Sequence, residues 1–147
     1  MATFTTGMST VGTTLSVAGT NVAEVFNVSG PSFSQTAVDT THHTSTSRFR
    51  TFVPGFSDGG EVSFDIRYIP TDATHDETAN TGLVGLFGAT STTTFVLTFP
   101  DNGATSNSNF SFDGIVTDLT PTADLDTSLD ASVTIKVSGK PTFTAAA

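Results

Sequence analysis

Apolar and polar residues alternate with a period of two along much of the chain. In the stretch 61–69, Val62, Phe64, Ile66 and Tyr68 fall on one side while Glu61, Ser63, Asp65 and Arg67 fall on the other, the pattern of a strand with one buried face. Residues 93–99 repeat it with Phe95, Leu97 and Phe99 inward, and Pro100-Asp-Asn-Gly103 then supplies the chemistry of a hairpin turn. The partner strand carries Phe110 and Phe112 on one face; Gly114 predicts a bulge that moves the inward set to Ile115, Thr117 and Leu119. Ala131, Val133, Ile135 and Val137 alternate with Ser132, Thr134, Lys136 and Ser138 in a fourth clean strand.

The first third reads as two short strands and a long bent one. These are residues 14–17, a turn at 18–21, and then 22–40, broken at Gly30-Pro31, where proline cannot serve a central ladder. Only residues 71–88 suit a helix. Thr71 or Thr74 can cap it, Asp72, Asp76 and Glu77 favour its N-terminal end, and Leu83, Val84, Leu86 and Phe87 form an apolar stripe. Gly82 and Gly85 weaken it, so the expectation is a short or irregular helix. Segments 41–60 and 121–130 follow neither period. A twenty-residue loop in a compact domain implies a task such as binding. The predicted fold is mainly β, one domain with a single flanking helix.

Composition narrows the function. The chain has 147 residues and no cysteine, which removes disulfide frameworks and thiol chemistry. Leu, Ile, Val and Phe number 37, a quarter of the chain, enough for one packed core. The N-terminus lacks the charged and apolar regions of an export signal, and no apolar run is long enough to cross a bilayer, so a soluble product without a membrane partner is expected. Fourteen acids oppose five bases, for a net charge of −9, the wrong sign for gripping nucleic-acid phosphates. Only 13% of residues are charged, whereas Thr and Ser number 30 and 16. A neutral, hydroxylated skin suits packing against copies of the same chain better than it suits a pocket enzyme.

The chemical motifs are sparse. Asp39, His42, His43 and His75 are imidazole and carboxylate metal ligands by type, but adjacent histidines on an extended chain point to opposite faces, so a polar loop or interface is the favoured reading and no cofactor is expected. Asp124, Asp126 and Asp130 lack the glycine and glutamate of a calcium loop. No Gly-x-Ser-x-Gly elbow and no phosphate-cradling glycine loop occurs, and an enzyme is not expected. The segment 47–56 is the most informative: Arg48 and Arg50 are interleaved with Phe49, Phe52 and Phe56. Two readings stand, an interface anchor that pairs with acids of another copy, or a cap folded back on the domain's own core.

The order of several motifs resembles a known family. Thr14-Leu-Ser-Val-Ala-Gly-Thr, Ser29-Gly-Pro-Ser-Phe-Ser, Val38-Asp-Thr-Thr-His-His, Phe52-Val-Pro-Gly-Phe-Ser-Asp-Gly-Gly-Glu-Val-Ser-Phe, Tyr68-Ile-Pro-Thr-Asp-Ala-Thr-His and Val133-Thr-Ile-Lys-Val-Ser-Gly-Lys-Pro together are similar to the tail tube (major tail) proteins of long-tailed bacteriophages, over residues 13–141. The segment 78–82, a poor helix, departs from that pattern.

The resemblance implies a β-sandwich or barrel of tail tube type, with one short flanking α-helix and a long inter-strand loop. It implies a single domain over residues 1–147, with a flexible N-terminal stretch 1–12 and an extended C-terminal tail 139–147. It further implies a structural virion protein: homohexameric rings, joined edge to edge by their sheets, stack into a tail tube assembled in the bacterial host cytoplasm. Implied partners are tail tip and tail terminator proteins, a tape measure protein in the lumen, and DNA in non-sticking transit. Glu61, Ser63, Asp65, Ser111 and Asp113 are the lumen-facing candidates, chosen by alternation. His42, His43, Arg48, Phe49, Arg50, Phe52 and Phe56 correspond in position to a ring-stacking loop. The alternative is a β-sandwich adhesion or carbohydrate-binding module on a virion surface, for which a chain with no Trp and one Tyr is poorly equipped.

Overall fold

Strands β1 (Thr14–Val17), β2 (Thr20–Asn21), β3 (Val25–Ser29), β4 (Ser34–Asp39), β5 (Phe52–Asp58) and β6 (Glu61–Arg67) precede a single turn of helix, α1 (Leu83–Leu86). Strands β7 (Thr93–Thr98), β8 (Asn109–Thr122) and β9 (Asp130–Thr144) follow. The computed structural model describes residues 10–44, 47–100 and 106–146. Seven strands form one curled antiparallel sheet in the order β2-β1-β7-β8-β9-β6-β3, and β4 and β5 form a separate two-stranded hairpin.

Alternation decides what the sheet buries. Leu15 and Val17 of β1, Phe95 and Leu97 of β7, Phe112 and Val116 of β8, and Val62, Phe64 and Ile66 of β6 all turn to the concave side. Ala131, Val133, Ile135 and Val137 of β9 join them, and Val22, Leu83 and Leu86 close the cluster. At one end of this core Phe110 packs against Phe143, Phe99 and Phe33. Pro31 lies between β3 and β4, outside any ladder, as the sequence implied; the Gly30-Pro31 peptide is cis.

Strands β8 and β9 are about twice as long as their neighbours, and this staggers the sheet. β7 pairs only with residues 109–114 of β8, and β6 only with residues 130–136 of β9. Among the described residues, 115–122 of β8 are therefore left without a strand on their β7 side. Residues 138–144 of β9 are left likewise on their β6 side, again among the described residues.

Several elements differ in extent from the sequence expectation. The aperiodic segment 41–60 contains β5, which pairs with β4 across a register shift between Gln35 and Ala37. Its residues are almost all exposed, so no alternation could reveal it. The helix is confined to Leu83–Leu86 and does not begin near residue 71. Residues 70–82 form successive turns, in which Asp72 accepts from the Thr74 N–H and hydroxyl and Asp76 from the Thr78 N–H. A side chain at Gly82 would strike the Asp76 carbonyl at 2.2 Å, so that glycine permits close packing of helix on turn.

In β8 the phase changes later than Gly114. The inward set is Phe112, Gly114 and Val116, then Leu119, because the register shift falls between Val116 and Asp118; Ile115 and Thr117 are exposed. Residues 139–144 of the expected C-terminal tail belong to β9. The turn expected at 100–103 and the flexible N-terminal stretch fall largely outside the described residues.

Candidate functional site

Two surfaces stand out: the convex face of the sheet and the projecting hairpin. Residues directly opposite in an antiparallel ladder share a face, so the registers define the first surface without ambiguity. Ser29, Ser63, Thr134 and Asp118 make one row; Asn27, Asp65, Ser132 and Thr120 the next; Arg67, Asp130 and Thr122 a third. On the other side lie the rows Glu61, Lys136, Ile115 and Ser138, Asp113, Thr94, followed by Thr142, Ser111, Val96, Ser16. All five residues selected by alternation, Glu61, Ser63, Asp65, Ser111 and Asp113, therefore lie on this one convex face.

The face is dressed mainly by hydroxyls and carboxylates. Asp65 accepts from Ser132 Oγ at 2.8 Å and from Asn27 Nδ2 at 3.1 Å. Asp113 accepts from Thr94 Oγ1 at 2.7 Å, and Asp118 from Thr120 Oγ1 at 2.7 Å. On these rows five carboxylates, at 61, 65, 113, 118 and 130, outnumber Arg67 and Lys136. Both bases are engaged: Arg67 with Asp130 at 3.7 Å and with Ser128, and Lys136 with Asp58 at 3.0 Å. The surface that remains is acidic and finely hydrogen-bonded, with Ile115 and Val96 the apolar interruptions.

The second surface is the β4–β5 hairpin. Phe56 is 95% exposed, Phe49 76% and Phe52 55%, so these rings do not fold back to cap the chain's own core, and the second reading of segment 47–56 is set aside. Cross-strand pairing puts Phe52 opposite Asp39 and Pro54 opposite Ala37. Arg50 lies 3.8 Å from Asp39. Asp39 also accepts from the Thr41 N–H at 2.9 Å, and the hydrogen bonds from Thr41 hold its carboxyl below the ordinary value. His42 and His43 sit beyond β4 in the same projection.

His75 lies apart from the hairpin histidines. It is fully buried, its Nδ1 accepts from the Ile69 N–H at 3.1 Å, and its Nε2 meets the Ala23 carbonyl at 2.8 Å. Both ring nitrogens are committed to backbone groups, so its role is to fasten residues 69–75 to the segment between β2 and β3. Tyr68, the lone tyrosine, is half-buried and stacks on the His75 ring. The third feature, which alternation did not mark, is the edge of β8 beside α1 that has no ladder partner among the described residues; Ile115 and Thr117 read as core in the sequence and conceal it.

The family model described as "Lambda phage tail tube protein, TTP" matches residues 4–144. The chain belongs to this family. It is thus a structural tail tube subunit, mainly β as the motif resemblance implied. No curated protein matches it in sequence. Among solved structures it is similar to a chain of the virion of the native gene transfer agent particle, with a TM-score of 0.73 and 17% identity over 95% of this chain and 100% of that one. A chain from the tail of the empty gene transfer agent particle, a structure with C6 symmetry, gives 0.71 and 18% over the same shares. One from the 6-fold symmetrised baseplate of the anti-feeding prophage gives 0.63 and 6%, over 90% and 91%. At these identities the likeness carries the tail tube fold.

Proposed function

We propose that this tail tube protein is a non-enzymatic subunit of homohexameric rings that stack into the tube of a virion tail. The tube is built in the cytoplasm of the bacterial host and conducts DNA on ejection. The observation that carries this reading is the continuous convex face, where Glu61, Ser63, Asp65, Ser111 and Asp113 stand among hydroxyls with carboxylates in excess. Such a wall repels phosphate and offers DNA no cluster of bases to bind, so the polymer slides without sticking. In the tube this face lines the lumen, where it also meets the tape measure protein before ejection.

The staggered edges of β8 and β9 supply the joining rule. They lie on opposite margins of the sheet and run antiparallel to one another. A neighbour related by rotation therefore presents a β9 edge to a β8 edge in an antiparallel sense, with the offset absorbed by strand tilt. An unlike pair of surfaces joined by rotation closes into a ring. The hairpin, with His42, His43, Arg48, Phe49, Arg50, Phe52 and Phe56, is the contact between subunits that stacks the rings. Tail tip and tail terminator proteins meet the two ends of the stack.

Electron microscopy of the purified protein, alone and after addition of a tail tip complex, tests the proposal. Rings or tubes of constant diameter are expected. A chain that stays monomeric at every concentration and with every nucleating complex contradicts it.

A further inference from the structure

We propose that the cleft between β9 and the base of the β4–β5 hairpin seats the 123–129 turn of the next copy in the ring, with Leu125 as its apolar anchor. This rests on the ring reading above and adds to it a second contact, made by the same neighbour whose β8 meets the β9 edge.

The cleft is about 940 Å³, at the upper end of the roughly 300–1,000 Å³ usual for binding pockets, and so has room for a turn of chain. Phe33 and residues 57–59 form one wall, and residues 136–141 of β9 the other. The walls touch at Gly59, where an added Cβ would lie 2.6 Å from Val137 Cγ1 and 3.2 Å from Pro141. β9 itself shapes the opening. Ser138 is opposite Asp113 and Thr142 opposite Ser111, so three residues of β9 stand against Phe112 alone, and the bulge begins at Gly139 with φ of 76°. A bulge interrupts the ladder and bends its strand; exposed Lys140 stands at its centre.

Three observations select the occupant. The first is apolar surface. Leu125 is 92% exposed in the turn between β8 and β9, while Phe33, Val137 and Pro141 give the cleft an apolar lining. The second is charge. Asp58 on the cleft wall is already neutralised by Lys136 at 3.0 Å, whereas Lys140 forms no ion pair among the described residues. Asp124 and Asp126, on either side of Leu125, form none there either. Opposite charge around an apolar contact steers it and fixes its register. The third is direction. A neighbour's β8 antiparallel to β9 advances, as it runs on past Thr122, along β9 from residue 144 towards residue 136, the stretch where the cleft lies. It cannot continue there as an added strand, because Glu61 of β6 holds the β9 edge at Lys136. The chain has to turn at this point, and β8 does end at Thr122.

The contact gives the ring something that edge pairing lacks. Two strand edges can slip by two residues and keep the same faces. A leucine held in a cleft by flanking charges allows one register only.

Because the chain has no cysteine, the double variant Leu125→Cys/Gln35→Cys reports the contact, Gln35 being part of the cleft lining. It is assembled, treated with a short thiol-to-thiol crosslinker and separated under denaturing conditions. The expected product is a ladder of linked chains that stops at the ring size seen by electron microscopy, with each single variant giving no ladder. A ladder that runs past the ring size assigns the contact to stacked rings and overturns the proposal. Assemblies that form without links overturn it too, as does a link closed within one chain, seen as a monomer of altered mobility. If this variant does not assemble while the unsubstituted protein does, Thr127→Cys/Ser57→Cys takes its place and is read in the same way. Failure of the unsubstituted protein to assemble at all contradicts the ring reading itself. A charge reversal supplies the independent measurement. Lys140→Glu is expected to raise the concentration needed for assembly about tenfold at low salt, and Asp124→Lys/Asp126→Lys in the same chain to restore it. Unchanged assembly by Lys140→Glu, or a loss that reversing the two acids does not relieve, overturns the cleft as the seat.

Discussion

Lys136 Nζ donates to both carboxylate oxygens of Asp58, at 3.0 and 3.1 Å, and so joins the last residue of the projecting hairpin to the middle of the long strand β9. The same carboxylate accepts from the Gly60 N–H at 2.7 Å. The hairpin is held at its base by this side chain, by the hydrogen bond from the Val137 N–H to the Gly60 carbonyl, and by Ser32, whose Oγ accepts from the Glu61 N–H.

The Gly60 N–H, and after it Lys136, hold the Asp58 carboxyl below its ordinary value of 3.8. Asp39, Asp72 and Asp76 are lowered by their own Thr hydrogen bonds. A depressed carboxyl contributes stability that is present above its unfolded value and lost as pH falls through the folded one. The melting temperature is therefore expected to show no loss from these groups down to about pH 4 and a decline below it. Asp58→Asn should reduce the slope of that acid limb. A decline that begins well above pH 5, or one unaltered by Asp58→Asn, contradicts the assignment.

Gly60 turns the chain from β5 into β6 with φ of 73°, and an added Cβ would lie 1.9 Å from the Ser32 carbonyl oxygen. Gly60→Ala combines left-handed strain with overlap against backbone. It is expected to cost about 2–4 kcal/mol, seen as a lowered denaturation midpoint with an unchanged slope.

His75→Ala removes a buried ring and strands the Ala23 carbonyl and the Ile69 N–H. The expected loss is about 3–5 kcal/mol. Chemical denaturation measures it, and a loss below 1 kcal/mol would show that water or a shifted loop replaces both contacts.

Much of this framework was legible before the structure, and the reason is burial. Strands 61–67 and 93–98 have one face in the core and one in solvent, so alternation reports both the element and the side. That is why alternation sets Glu61, Ser63, Asp65, Ser111 and Asp113 on the polar face. β5 gave no such signal because Phe52, Val53 and Phe56 are all exposed. The phase of β8 is hidden in the sequence for a related reason. Ile115 looks like core, yet the alternation runs unbroken through Gly114 and sets it opposite Lys136 on the polar face, the extra residue coming only afterwards at Thr117. His75 carried no sequence cue to its buried role, since its partners are backbone atoms 6 and 52 residues away.

The acidic face has a functional consequence under the proposed role. Glu61→Lys with Asp113→Lys leaves the core untouched and should permit assembly. The resulting tubes are expected to retain DNA in a salt-dependent manner, whereas unsubstituted tubes do not. A mobility-shift or co-sedimentation assay at two ionic strengths reads the difference. Equal retention by both would remove the electrostatic argument for the face.

The most direct measurement is a reconstruction of the assembled protein at a resolution that separates strands. The account predicts a closed sixfold ring whose channel wall is the face bearing Glu61, Ser63, Asp65, Ser111 and Asp113. The same residues on the outer surface of the tube, or an assembly with no closed ring, would contradict it.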